Sequence, residues 1–444
     1  MRILMISDHA DPLAKIGTKE TGGQNVYVMN MASMLAKLGV FVDVYTRWDR
    51  ATKQELVEVQ PRLRVIRVKA GPKAYMPRDN FLSVTDEFAK RIKQRIEREE
   101  LTYDAIFTHY WFSGIIGLDL AQTYGWPMSH VYHSIGQMRF EVLQNFKPQD
   151  ANSHFFKTRH DWERRIAQEA TSVISTSPVE RDDIVRLFDI PADKISVIPV
   201  GVDTVQFRPY NTKSIRKKLG LPTDKRIVLY AGRLEWRKGI GTLVQSISDL
   251  REKWQDIALY IIGGGSTKSS KRLDADELQR IEQIIDELGI KDRVHFLGAK
   301  QQSEIAKYYA AADVCAVPSY YEPFGIVPIE AMACGTPVVA SRTGGMQYTV
   351  EDGITGHLAI PQCPIDLGAK IHTVLERGKD AYTEAARHRI LQHFAWPTIA
   401  RSVAAHLSML AGKVETEAVR EIKPLLPILG LKAPQIRPDA ARNV

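Results

Sequence analysis

Short apolar runs alternate along the chain with stretches in which apolar residues recur at a helical period. The first run is "RILMIS". After a loop, "GGQNVYVMNMASMLAKLG" sets Val28, Met31, Ala32, Leu35 and Leu38 on one helical face, and Gly39 supplies the stop. "VFVDVYT" follows as a strand, which makes strand, glycine-bearing loop, helix and strand: the βαβ unit of an open parallel sheet. "YDAIFTHYW", "MSHVYHS", "SVISTS" and "ISVIPVGVD" continue the strand series through residue 203. A second series opens with "RIVLYAGRLEWRKGIGTLVQSISDL" (226–250). It runs on through "ALYIIGGG", "RVHFLG", "DVCAVPS" and "PVVAS", separated by helical patterns such as "LQRIEQIIDELG".

The pattern therefore predicts an α/β chain of two doubly wound, Rossmann-like lobes, and 444 residues agree with two cores better than with one. Between the series, "GVDTVQFRPYNTKS" (201–214) is polar, carries a proline and has no period, so the linker is placed there. The expected division is a lobe over 1–205, joined by a C-terminal helix at about 396–420, and a second lobe over 206–395. A Pro-rich tail over 421–444 completes it.

Composition narrows the classes. With 44% hydrophobic and 25% charged residues and no apolar run long enough to span a bilayer, the expectation is a cytoplasmic protein with no membrane span. The cysteines Cys315, Cys334 and Cys363 have no metal-ligand or disulfide spacing, so no metal is expected. The net charge of +8 is scattered among acids, as in "RIKQRIEREE", which reads as a solvated helix face. No basic stripe interleaved with aromatics is present, and nucleic acid is not an expected partner.

Three places could carry chemistry. "TGGQN" (21–25) lies between the first strand and helix, where free backbone N–H groups favour an anion; a plain tight turn is the equal alternative. In "GRLEWRKG", Arg233 and Lys238 follow a strand and could clamp a diphosphate, or be solvated surface charges. In "EPFGIVPIEAMACGTPVVAS", Pro328 fits the first turn of a helix from about Val327 to Cys334. That puts the N–H groups of Gly325, Ile326 and Val327 at its positive end and Glu330 inside its first turn. Glu330 could then accept from a vicinal diol, while Glu322 faces whatever the diphosphate carries. An acid/base pair of glycosidase type would need the two carboxylates about 5 to 9.5 Å apart, which sequence alone leaves open.

Taken together, "VIPVGVD", "GRLEWRKG", "VPSYYEPFGIVPIEAMACGTPVVAS" and Gly344-Gly345 resemble the family 4 retaining glycosyltransferases of GT-B fold, over roughly residues 1 to 410. The resemblance implies that Arg233 and Lys238 neutralise the diphosphate of a nucleotide sugar in place of a metal, and that Glu330 holds the ribose. It places Glu322 and the backbone at Phe324, Gly325, Ile326 and Val327 on the transferred hexose and the phosphates, and the base near Leu297 and Gly298. Gly23 and Gln24 stand between donor and acceptor, and His133 orients the sugar. Front-face substitution is implied, with the leaving diphosphate oxygen taking the acceptor proton. The catalytic set is His133, Arg233, Lys238 and Glu322. No cofactor is expected; UDP-glucose or ADP-glucose enters as substrate.

"TGGQNVYV", "VDVYTR", "AGP", "THYWFSG" and "HSIG" resemble the branch containing sucrose-phosphate synthase, sucrose synthase and the transferase to inositol phosphate. On that resemblance Gln24, Lys73, Arg78, Tyr110, Ser134, Arg164 and Arg165 bind the acceptor and its phosphate. The first expectation is glucose transfer to fructose 6-phosphate. Transfer to inositol phosphate or another small polyol is the alternative, and a catalytically silent nucleotide-sugar binder is the reading from another class. "RKGI" after the donor arginine and "GIV" within the glutamate motif depart from the sucrose enzymes and leave the acceptor open.

Overall fold

The computed structural model describes residues 1–14, 22–146, 148, 153–264 and 268–413. Thr21 of the glycine loop, the side chain of Arg78 and the 421–444 tail lie outside the described residues.

The first apolar series folds as β1 (Arg2–Ile6), β2 (Phe41–Arg47), β3 (Leu56–Gln60), β4 (Leu63–Val68), β5 (Ala105–His109), β6 (Met128–Val131), β7 (Ser172–Ser175) and β8 (Ile195–Val197). Its helices are α1 (Gly23–Lys37), α2 (Thr85–Arg98), α3 (Trp111–Tyr124), α4 (Gly136–Phe146), α5 (Ser153–Glu169) and α6 (Pro178–Phe188). Among the described residues these strands form one sheet in the order β3-β4-β2-β1-β5-β6-β7-β8. Every pairing is parallel except β3 with β4, an antiparallel edge hairpin that the sequence reading did not include.

The second series forms a sheet ordered β11-β10-β9-β12-β13-β14. Its strands are β9 (Arg226–Ala231), β10 (Ile257–Ile262), β11 (Val294–Gly298), β12 (Val314–Val317), β13 (Val338–Ser341) and β14 (Gly356–Ala359). The helices are α7 (Thr212–Leu219), α8 (Ile240–Leu250), α9 (Lys268–Leu288), α10 (Gln302–Ala311), α11 (Ile326–Ala333), α12 (Met346–Thr349), α13 (Pro364–Arg377), α14 (Asp380–His393) and α15 (Trp396–Leu410). All its pairings are parallel. Both sheets carry helices on each face, which is why their strands read as nearly continuous apolar runs.

Local signals explain several boundaries. Val28, Met31, Ala32 and Leu35 of α1 are buried, and Gly39 ends the turn beyond it at φ +88°. On α2, Ile92 and Ile96 are buried while Arg91 and Arg98 stay in water, so the charge run is indeed a solvated face. The linker is shorter than expected. Asn211 caps α7 through its side chain, so Thr212 to Ser214 are already helical. The chain crosses between lobes twice, and the crossings touch: Val202 N–H donates to Phe394 carbonyl at 2.7 Å, and Val202 pairs with Ala395. One apolar cluster runs from Ile3 and Met5 through Val200, Phe207 and Trp396 to Ile227 and Leu229, so packing continues from lobe to lobe. Helix α15 then returns to the first lobe and packs along α1.

Candidate active site

On the second lobe, β9 delivers Arg233 just past its last residue, and a 3-10 turn at Trp236–Lys238 carries two more cations. Lys238 Nζ meets Glu322 Oε2 at 2.5 Å. Glu235 binds Arg233 at 2.9 Å and Arg237 at 2.7 Å. Burial pushes the Glu322 carboxyl up, but Lys238, Arg237 and Arg233 outweigh it and hold the group below its usual range. Glu322 is thus a fixed anion and has no proton to donate near neutral pH. Arg233, though paired with Glu235, keeps 73% of its side chain in water, against 27% for Arg237 and 16% for Lys238. Arg237 belongs to this cluster and went unread in the sequence, although it adjoins Lys238.

Helix α11 begins at Ile326, one residue earlier than expected, with Gly325 at φ +93° before it. No side chain caps it, so its first-turn N–H groups are free to meet an anion. Two glycines hold the loop in front of it. A Cβ on Gly344 would lie 2.0 Å from the Glu322 carbonyl oxygen, and one on Gly345 would lie 2.5 Å from Phe324 Cα. Phe324 turns its ring into the core, so only its backbone is available.

Glu330 is the fifth residue of α11 and stands beyond the first turn, not inside it. Its oxygens accept from Gln302 Nε2 at 3.2 Å and Tyr309 hydroxyl at 3.1 Å. Burial raises its pKa to about 7, against the lowering effect of those two bonds. The two glutamates therefore have separate partners and opposite shifts. They are not a coupled pair sharing a proton. Leu297 and Gly298 end β11, next to the loop that leads to Gln302.

The first lobe presents the other wall. Gly23 opens α1 and faces α11: a Cβ on it would lie 3.1 Å from Ile326 Cδ1. Gln24 Nε2 donates to Ser7 Oγ and the His109 carbonyl, both at 3.3 Å. His133 has φ +58°, sits 3.1 Å from His109 Nδ1 through Nε2, and packs edge-on against Tyr27. Burial and then His9 lower its pKa to about 3, so it is neutral. His9 itself lies against Asp8 at 3.2 Å and Tyr110 at 4.8 Å between ring centroids.

Tyr110, at φ +76°, precedes α3. Beneath it Arg159, almost wholly buried, pairs with Glu163 at 2.7 Å, donates to the Ser134 carbonyl, and places its guanidinium 4.9 Å from the Tyr110 ring. Both Glu163 oxygens also accept from Gly136 N–H, at 3.1 and 2.9 Å. The structure thus joins Tyr110 and Ser134 to Arg159 and leaves out Arg164 and Arg165. Those two are 49% and 54% exposed and paired with Asp189 at 3.9 Å and Glu169 at 2.7 Å. On a helix, positions 159 and 163 share a face that 164 and 165 do not. The signal for Arg159 was the buried i, i+4 pair in "RHDWE", less conspicuous than the doubled arginine beside it.

Lys73 lies on a loop that Arg47 braces by donating to the carbonyls of Ala70 at 2.8 Å, Ala74 at 3.0 Å and Pro72. Its Nζ sits 3.1 Å above the Trp48 ring. Arg78 starts the 3-10 turn that follows.

Two lobes, each built on a largely parallel sheet flanked by helices, make the GT-B architecture. Residues 21–206 match the family described as "Glycosyltransferase Family 4", and residues 211–389 match "Glycosyl transferases group 1". D-inositol 3-phosphate glycosyltransferase of Corynebacterium jeikeium is 36% identical over 371 residues, 82% of this chain and 86% of that protein. Sucrose-phosphate synthase of Thermosynechococcus elongatus superposes with a TM-score of 0.80 at 37% identity, covering 92% of this chain and 98% of its own. HepE of Anabaena, solved with UDP-glucose, shares the fold at 21% identity, with a TM-score of 0.67 over 92% of this chain and 100% of that one. The chain belongs to the family 4 glycosyltransferases and is a hexosyltransferase. No helix among the described residues is long and apolar enough to cross a membrane.

Proposed function

We propose that the protein transfers a hexose, with retention at the anomeric carbon, from a nucleotide diphosphate sugar to a small phosphorylated acceptor. The observation that supports this reading is the cluster of Arg233, Arg237 and Lys238 around Glu322 on the second lobe. On the donor wall, Arg233 and Lys238 stand with the open N-terminus of α11, suited to a diphosphate whose charge grows as the sugar leaves. Glu322 positions Lys238 and the hexose, and Glu330 takes the ribose diol. On the first lobe, buried Arg159 donates to Glu163 and to the Ser134 carbonyl and lies against the Tyr110 ring. With Tyr110 and Lys73 it makes up the proposed grip on the acceptor phosphate. His133, neutral and fixed by His109, orients the sugar, and the acceptor proton goes to the leaving phosphate oxygen.

Fructose 6-phosphate is our first acceptor, supported by the 37% identity to a sucrose-phosphate synthase. Inositol phosphate is the second, supported by relatives named D-inositol 3-phosphate glycosyltransferase. The test incubates the protein with UDP-glucose or ADP-glucose against fructose 6-phosphate, fructose and an inositol phosphate, following nucleotide diphosphate release. Release with one phosphorylated acceptor and not with fructose is expected. Turnover of fructose alone would remove the phosphate assignment, and donor binding without turnover on any acceptor would make the chain a silent binder.

A further inference from the structure

The stretches "VDVYTR" (42–47) and "AGP" (70–72) lie apart in the chain and meet at Arg47, the last residue of β2. Its side chain is buried, and burying a guanidinium is unfavourable unless its N–H groups find acceptors. The acceptors here are three carbonyls of one short loop. Nε donates to Ala70 at 2.8 Å, Nη1 to Ala74 at 3.0 Å and Nη2 to Pro72. Two of these carbonyls, at 72 and 74, flank Lys73 and both turn inward, so the backbone on either side of Lys73 is fixed by one fork. A lysine at position 47 has no such fork and could not hold all three at once. Gly71, at φ +68°, makes the turn, and its N–H donates to Glu87 Oε2 at 2.8 Å.

The next residue, Trp48, takes the Lys73 side chain. Lys73 Nζ stands 3.1 Å from the centre of the indole ring. That ring is itself held, since the Trp48 backbone N–H donates to the Val68 carbonyl at 2.8 Å and Nε1 to the Lys53 carbonyl at 3.1 Å. A ring face keeps an ammonium extended without neutralising it, and it binds the cation more weakly than a phosphate would. Contacts between rings lead from this cradle to the acceptor residues. Arg47 lies 5.6 Å over Phe81, Phe81 is 5.8 Å from His9, and His9 is 4.8 Å from Tyr110, which covers Arg159.

We infer that Arg47 and Trp48 are positioning residues that set Lys73 for an acceptor phosphate, Arg47 by fixing the loop backbone and Trp48 by holding the ammonium extended until an anion takes it. This rests on the proposed role of Lys73 and extends it to two residues that act through Lys73 and touch no substrate themselves.

The test compares kcat/KM for fructose 6-phosphate with fructose, and for inositol phosphate with inositol, using UDP-glucose or ADP-glucose as donor. The proteins are wild type, Lys73→Met, Arg47→Lys, Trp48→Leu and Trp48→Phe. In Arg47→Lys and Trp48→Leu the preference for the phosphorylated acceptor should fall on the order of tenfold, as for a misplaced charged contact, through acceptor KM and with donor KM held. Trp48→Phe keeps a ring face and should restore most of the preference. A general loss of structure would lower both acceptors alike and leave the preference intact. A preference kept in Arg47→Lys and Trp48→Leu but lost in Lys73→Met would overturn the inference and leave the role of Lys73 standing. A preference kept in Lys73→Met would remove Lys73 from the phosphate grip, and the inference with it. Thermal unfolding identifies a variant that does not fold; if Arg47→Lys is one, the contrast between Trp48→Leu and Trp48→Phe decides.

Discussion

Glu322 and Glu330 share a motif yet differ in electrostatic state, and the difference follows from what each one touches. Glu322 lies among Lys238, Arg237 and Arg233 and is held ionised; Glu330 has only neutral donors and is raised to about 7 by burial. An ionised Glu330 accepts from a diol better than a protonated one. Donor KM should therefore fall as pH rises through about 7 in the wild type, and Glu330→Gln should flatten that profile; a steep profile surviving in the variant would assign the titration to another group. His133 and His109, both lowered by burial, stay neutral across this window. Arg233→Ala and Lys238→Ala should each lower kcat on the order of a hundred- to a thousandfold, about 2.7–4 kcal/mol. Near-normal turnover by both would defeat their assignment. The donor-wall residues were legible because a strand-end arginine, a following lysine and a Pro-marked helix start are local signals. Arg159 was not, because only Glu163 is its neighbour along the helix, while Ser134 and Tyr110 join it through tertiary packing.

At the scale of elements, α11 and the loop before it set the donor wall, and glycines set the loop. Gly344 has φ +48° and meets the Glu322 carbonyl, so a side chain there faces both backbone strain and a clash. Gly344→Ala should cost at least about 1–3 kcal/mol of stability and raise donor KM, read by thermal unfolding and initial rates. An unchanged melting temperature with unchanged KM would mean that the loop relaxes freely. The strands flanked by helices were readable from sequence as apolar runs. The β3–β4 hairpin and β14 were not: β3 is exposed or intermediate throughout, β4 sets Arg64 and Arg67 among its apolar residues, and β14 is Gly-His-Leu-Ala, with little apolar run to read. The start of α11 shifted by one residue because Gly325 at positive φ, not the proline, marks the entry.

Across the whole molecule, α15 fastens the second lobe's chain end to the first sheet. His406 reaches Ser129 at 3.1 Å, Ser172 at 2.8 Å and Ser196 at 3.1 Å, on β6, β7 and β8 in turn. Burial lowers His406 to about 4, below the usual value near 6.5. The unfolded chain takes up that proton first, so the stability contributed by neutral His406 is present above about 6.5 and is lost as pH falls toward 4. His406→Gln should melt below the wild type at pH 7, with the gap narrowing toward pH 4; a gap independent of pH would show that His406 acts through packing alone. No sequence pattern announced this contact, since three serines on three strands meet only when the sheet is assembled. The whole-molecule claim is that facing walls bring a donor diphosphate and an acceptor phosphate together. Its most direct test is kcat/KM with a phosphorylated acceptor and its unphosphorylated counterpart, in wild type and in Arg159→Leu. The account predicts a preference of about a hundredfold or more for the phosphorylated acceptor, as for a charged hydrogen-bonded group lost from a buried site, and its collapse in the variant. Equal use of both acceptors by the wild type, or a preference untouched by Arg159→Leu, would contradict it.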